Sequence, residues 1–293
     1  MSTLERMRCM EIWGGNEPAR NGVGTAGLDV HVLSRPAGEA SGGGDLHFVS
    51  SCASGRITRF VLADVSGHGD AVAAVARDVR DLMRRSINHV DQTRFVSTLN
   101  RRIADLGAGE LFATAIVGTF FVTTGRLAIC NAGHPPPLLR RAGETAWSPV
   151  ATARGSRDDL ANIPLGIMAR IPYRETVLQL APGDRLVAYT DAAPETRAPA
   201  GEMLGFEGFR RLVEAVDGDG ADLPDTEPDA IDGTLLDRVA AALDAHRGGP
   251  ADDDESFLLV AANGEASRWA DTLLAPLRIA GQAIGPRRTG APD

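Results

Sequence analysis

Residues 57–69 read ITRFVLADVSGHG, and the fold is decided by how that run ends. A stretch rich in β-branched and aromatic side chains, Ile57–Val65, forms a strand that breaks at Ser66-Gly67-His68-Gly69, with Asp64 almost at its tip. Residues 70–88 then carry Val72, Val75, Val79 and Leu82–Met83 near helical spacing. A second amphipathic helix follows, with Phe95, Leu99, Ile103 and Leu106 on one face. Upstream, Leu28–Leu33 alternates as a strand, and the turn SGGGD (Ser41–Asp45) leads into LHFVSSC. Three strands joined in this way predict an antiparallel meander. Downstream, strands over 111–122 and 126–131 flank Thr123-Thr124-Gly125. After the breaker GHPPP come LLRR, TVLQL, DRLVAYTD, a helix in GFRRLVEAV, another over about 231–246, and a last strand, FLLVAA. The layout is α+β, with helices placed to cover antiparallel sheets.

Composition narrows the chemistry. The chain has 293 residues, 43% hydrophobic and 24% charged, which suits one large domain with a substantial core. All 30 basic residues are arginine; without lysine, P-loop, Schiff-base and lysine general-base chemistry are excluded. A net charge of −9 disfavours nonspecific binding to nucleic acid or an anionic membrane. Cys9, Cys52 and Cys130 are odd in number and far apart, so neither a disulfide framework nor a zinc ribbon is indicated. The N-terminus lacks a signal-peptide pattern, and the longest apolar stretch, Leu111–Val122, is too short for a membrane helix. A cytoplasmic protein is expected.

Four acidic sites share one local setting, an Asp at a strand edge beside small residues or a turn. They are Asp45, Asp64, Asp191, and Asp253 or Asp254. Each alone reads as a turn former, and spacing does not establish that they converge. If they do, cations must neutralise them, and all-oxygen donors favour Mg²⁺, Mn²⁺ or Ca²⁺.

The ordered strings ADVSGHG, LFATAIVGTF, NAGHPPPLL, PLGI, GDRLVAYTDAAPETR and DDDESFLLV together resemble the SpoIIE-like branch of the PPM (type 2C) metal-dependent protein serine/threonine phosphatases. The resemblance covers about residues 28–261. It implies two antiparallel β-sheets sandwiched between helices, an α-β-β-α sandwich, with a 1–27 lead segment, a 28–262 phosphatase domain and a 263–293 tail. It also implies two Mn²⁺ or Mg²⁺ ions, bridged by Asp64 with the Val65 carbonyl as a further ligand. Asp45 corresponds to a ligand of the second metal, and Asp191 and Asp253 to ligands of the first. Asp254 is then a neighbour, and catalysis is expected to depend on Asp64 and Asp191. His68 is expected to shape its turn, with proton donation or a hydrogen bond to a ligand as the alternative. His134 is expected to fix a loop under the site. Ala192 stands where the family has Gly after the metal-binding Asp, a costly change if that position needs positive φ.

The implied reaction is in-line attack on a phosphoserine or phosphothreonine by a hydroxide bridging the two ions. The implied substrate is a phosphorylated regulatory protein of the anti-sigma-factor-antagonist type. No sensor domain is expected ahead of the first matched strand, so regulation falls to a partner, a homodimer or the short termini. The rival reading is a pseudophosphatase that binds a phosphoprotein without hydrolysing it. A metal-dependent nuclease or nucleotide phosphohydrolase lacks the support of a basic groove or a lysine-bearing phosphate loop.

Overall fold

A computed structural model describes residues 4–7, 9–38, 42–52, 55–66, 70–86, 91–107, 111–151, 160–218, 228–249 and 251–265. The strands are β1 (Glu5–Arg6), β2 (Glu11–Gly15), β3 (Ala19–Gly24), β4 (Leu28–Arg35), β5 (Asp45–Cys52), β6 (Ile57–Val65), β7 (Ala113–Phe121), β8 (Arg126–Ala132), β9 (Leu138–Arg140), β10 (Ser148–Pro149), β11 (Thr176–Gln179), β12 (Arg185–Tyr189) and β13 (Glu255–Ala262). The helices are α1 (Asp70–Arg85), α2 (Gln92–Gly107), α3 (Ala192–Glu195), α4 (Gly205–Gly218) and α5 (Pro228–Arg247). One sheet runs β1-β3-β4-β13-β12-β9-β10 and the other β11-β8-β7-β6-β5-β2.

Side-chain alternation along the strands separates three apolar layers. On β6, Phe60 and Leu62 enter the layer between the sheets, while Val61, Ala63 and Val65 face outward under α1 and α2. On β13, Leu258 and Val260 enter the same middle layer, while Phe257 and Leu259 face α4 and α5. Both faces of the central strands are covered, which is why these strands read as nearly unbroken apolar runs. The helix stripes fit: Val72, Val75, Val79, Leu82 and Met83 of α1 join Phe95, Leu99 and Ile103 of α2 in one cluster. Leu106, read from sequence as part of that face, is instead exposed at the end of α2.

The meander needs one correction. β5, β6, β7 and β8 form it, but β4 pairs with β3 and β13 in the other sheet. β4 is buried along its length up to Arg35, so it takes a central place between two long partners. Local turn signals at 41–45 carry no information about that crossing. The sheets also take in β1, β2 and β3, which lie ahead of the first strand read from the sequence. The stretch 266–293 lies outside the described residues. None of the described helices is long and apolar enough to cross a membrane.

Packing across the β6–β7 pair leaves no room at Gly118. A Cβ there would stand 2.0 Å from Phe60 Cζ, on the directly opposed residue. Gly118→Ala is expected to cost about 1–3 kcal/mol through overpacking, read as a lower thermal midpoint; an unchanged midpoint would show that the ring has room to move.

Candidate active site

The β5–β6 register sets Asp45 directly opposite Asp64 at one end of the sandwich. Both strands belong to one sheet. The other sheet delivers Asp191 just past β12, and Asp253 and Asp254 just before β13, two strands that are themselves paired. The sequence-predicted acids therefore converge on one edge, drawn from both sheets.

Their electrostatics show how near they are. Asp45, 2% exposed, is held well above the usual carboxylate range by burial, with the charges of Asp64 and Asp254 adding to the effect. Asp64 is pushed up to about 6 by burial and then by Asp191, Asp253 and Asp254. Asp191 is raised by burial and by Asp253. Each of these acids is disfavoured by burial and by like charge, and no arginine figures among the causes.

Two contacts hold the halves together. The Thr190 hydroxyl donates to Asp45 Oδ2 at 3.1 Å and accepts the Ser256 N–H at 3.0 Å. Asp254 accepts the Ala37 N–H at 2.7 Å and also the Gly44 N–H. Glycine is required beside it, because a Cβ on Gly43 would lie 2.5 Å from Asp254 Oδ2. Backbone N–H groups engage both oxygens of Asp254 and also Oδ1 of Asp253, which accepts the Asp254 N–H at 2.8 Å; both acids act electrostatically on Asp64, and Asp253 on Asp191 as well.

The donors suit a hard divalent cation, since all are oxygen and all repel one another. Asp45 Oδ1 is buried and closes no hydrogen bond; the nearby Ser256 hydroxyl eases its charge but donates to Ser34 Oγ. Among the described residues, no three acids are drawn tightly enough together to form a ready-made metal cage. The edge is thus a set of convergent, uncompensated carboxylates whose chemistry fits such an ion.

The remaining sequence-predicted residues divide. His68, with its flanking glycines, lies outside the described residues. His134 is buried behind the edge, its Nδ1 2.7 Å from the hydroxyl of Thr114, the residue paired with Asp64. Burial holds His134 down at about 3, so it is neutral near pH 7. Its backbone is fixed by Asn131, which accepts its N–H and donates to its carbonyl, both at 2.8 Å. Ala192 opens α3, and Met10 and Asn162 are the non-glycine residues with positive φ among those described. The glycine-to-alanine departure therefore carries no left-handed strain. Thr190, Ser256, Gly43 and Gly44 were not singled out as site residues by sequence reasoning, although the polar Thr and Ser stood out at the tips of apolar strands.

Comparisons with known proteins agree with this fold. The two sheets and their covering helices define a type 2C phosphatase fold. The chain belongs to the stage II sporulation protein E (SpoIIE) family, whose model matches residues 54–263. Among solved structures it is similar to the RsbU and RsbW domains of Rv1364c from Mycobacterium tuberculosis, with TM-score 0.61 and 24% identity over 90% of this chain and 70% of that one. It is also similar to the PP2C phosphatase domain of SpoIIE from Bacillus subtilis, with TM-score 0.61 and 16% identity over 86% of this chain and 71% of that one. RsbX in complex with magnesium gives TM-score 0.54 and 13% identity over 86% of this chain and 99% of that one. Protein IcfG of Synechocystis is 28% identical over 112 residues, covering 38% of this chain and only 16% of that relative.

Asp64 yields a signed pH prediction. Its pKa of about 6, above the unfolded 3.8, means its contribution to stability is present at low pH and lost as pH rises through 6. His47 and His134, buried and held at about 4 and about 3, titrate in the opposite sense, so the comparison must be differential. In metal-free protein, Asp64→Asn should match wild type below about pH 4 and exceed it by about 1–3 kcal/mol above about pH 7 in chemical denaturation. A constant difference across that range would contradict the assignment.

Ala192 yields a second. Ala192→Gly should destabilise by up to about 1 kcal/mol while leaving turnover within about twofold, because helical alanine is already unstrained. A large gain in metal affinity would show that the position needs glycine after all.

Proposed function

We propose that this protein is a divalent-metal-dependent phosphatase acting on phosphoserine or phosphothreonine in a protein substrate. The observation that carries the reading is the convergence of Asp45, Asp64, Asp191 and Asp253, from both sheets, with no arginine among the described residues offsetting the raised proton affinity of Asp45, Asp64 and Asp191. Membership of the SpoIIE family and the magnesium complex of RsbX support it. Asp64, with the Val65 carbonyl, would be shared between two such ions, and Asp45, Asp191 and Asp253 would supply the further ligands. Two Mn²⁺ or Mg²⁺ ions would supply Lewis-acid charge neutralisation and lower the pKa of a water nucleophile.

The chain's own residues prepare the site. Asp253 is exposed and Asp64 and Asp191 are partly so, whereas Asp45 is buried, so the edge opens outward toward a phosphoryl group. Thr190 orients Asp45 from the opposite sheet, and the Ala37 and Gly44 N–H groups fix the orientation of Asp254. Neutral His134 braces Thr114 behind Asp64 rather than delivering a proton. Likeness to the RsbU and SpoIIE domains supports a phosphorylated regulatory protein of the anti-sigma-antagonist type as substrate.

The test is hydrolysis of an aryl phosphate and of a phosphoserine peptide by purified protein. Turnover should require Mn²⁺ or Mg²⁺, vanish with chelator, and fall at least about a hundredfold in Asp64→Asn. Metal-independent turnover, or none on either substrate in protein shown to bind metal, would contradict the reading.

A further inference from the structure

Glu255 immediately follows the acidic pair Asp253–Asp254, yet it faces away from the open edge and is completely buried. A carboxylate out of water must be paired, and Glu255 is paired twice. It accepts from Arg35, its register partner at the end of β4, and from Arg247 at the end of α5, whose Nη1 and Nη2 lie 3.1 and 3.3 Å away. Asp244 closes the ring: it accepts Arg35 Nη1 and Nη2 at 2.8 and 3.2 Å and Arg247 Nη2 at 2.5 Å. Two guanidinium groups and two carboxylates alternate, so the ring is neutral.

What this ring touches sets it apart from an ordinary buried ion pair. Two residues beyond Arg35, the Ala37 N–H holds Asp254. Arg247 also reaches Thr196 Oγ1 at 3.5 Å; that hydroxyl donates to the Ala192 carbonyl at 2.9 Å and closes the short helix that begins after Asp191. One cluster thus ties down the exit of β4, the entry of β13 and the segment after Asp191. Those are the three backbone pieces that present Asp191, Asp253 and Asp254.

We propose that Glu255, Arg35 and Arg247 are positioning residues that set the spacing of Asp191 and Asp253 and thereby the affinity of the site for a divalent cation. The proposal rests on the phosphatase reading. Glu255 is neither a ligand nor a participant in the reaction; its two arginines act through the backbone. Partners of this kind behind metal ligands typically change metal affinity about 10–100-fold when altered.

The experiment is calorimetric titration of Mn²⁺ into chelator-stripped wild type, Glu255→Gln, Arg247→Lys and Asp237→Ala, alongside circular dichroism and phosphatase kinetics against Mn²⁺ concentration. Asp237→Ala removes an exposed pair with Arg20 and serves as the control. Glu255→Gln and Arg247→Lys should weaken Mn²⁺ binding at least about tenfold, with kcat at saturating Mn²⁺ within about twofold of wild type. Asp237→Ala should bind Mn²⁺ as wild type does. If Glu255→Gln fails to fold, Arg247→Lys, which keeps the positive charge beside Glu255, decides the matter. Unchanged Mn²⁺ affinity in a folded variant, or a fall in kcat at saturating metal, overturns the positioning role alone. Absence of Mn²⁺ binding by the wild type overturns the phosphatase reading and this inference with it.

Discussion

Mutual repulsion among carboxylates at one edge of the sandwich is the constraint around which the rest of the molecule is arranged. Asp45 and Asp64 face each other across a β-ladder, and Asp191, Asp253 and Asp254 approach from the second sheet. Burial raises the proton affinity of Asp45, Asp64 and Asp191, and their neighbours raise it further. A fold tolerates this only if its apolar layers are strong enough to impose the geometry. Here three such layers do so, one under each helix pair and one between the sheets. The unfavourable charge density is then available for a cation.

The two sheets contribute unequally. One supplies Asp45, Asp64 and Val65 from adjacent strands, a rigid half fixed by ladder hydrogen bonds. The other supplies acids from the ends of β12 and β13, where the chain leaves regular structure. That less regular half carries most of the bracing: Thr190 with Ser256, the Ala37 and Gly44 N–H groups on Asp254, and the Glu255 ring. The Thr190–Asp45 bond joins the halves directly. Precision at the site is thus a property of how the sheets meet.

Much of this was legible in the chain. Continuous apolar runs, such as Phe60–Ala63 and Phe257–Ala262, and helix stripes at three- and four-residue spacing gave the elements and the α+β class, because burial on both faces leaves a plain compositional mark. The acids stood out because Asp at the tip of an apolar strand has little reason to be there on packing grounds. What could not be read was anything set by long-range pairing. β4 was placed in the wrong sheet because its partners are β3 and, more than 200 residues away, β13. β2 and β3 were missed because Gly14, Gly15, Gly22 and Gly24 dilute their pattern, and β1 because two charged residues, Glu5–Arg6, show no alternation. Glu255 looked like one more member of an acidic run; only the folded chain turns it toward Arg35 and Arg247. The reverse held at Ala192, where the sequence raised a question of strain that a helical backbone answers.

Anomalous diffraction from crystals of the protein grown with Mn²⁺ tests the central claim most directly, because it locates the ions without reference to activity. The account predicts two peaks at this edge, one between Asp45 and Asp64 and one among Asp64, Asp191 and Asp253. Peaks elsewhere on the surface, or none at saturating Mn²⁺, would contradict it.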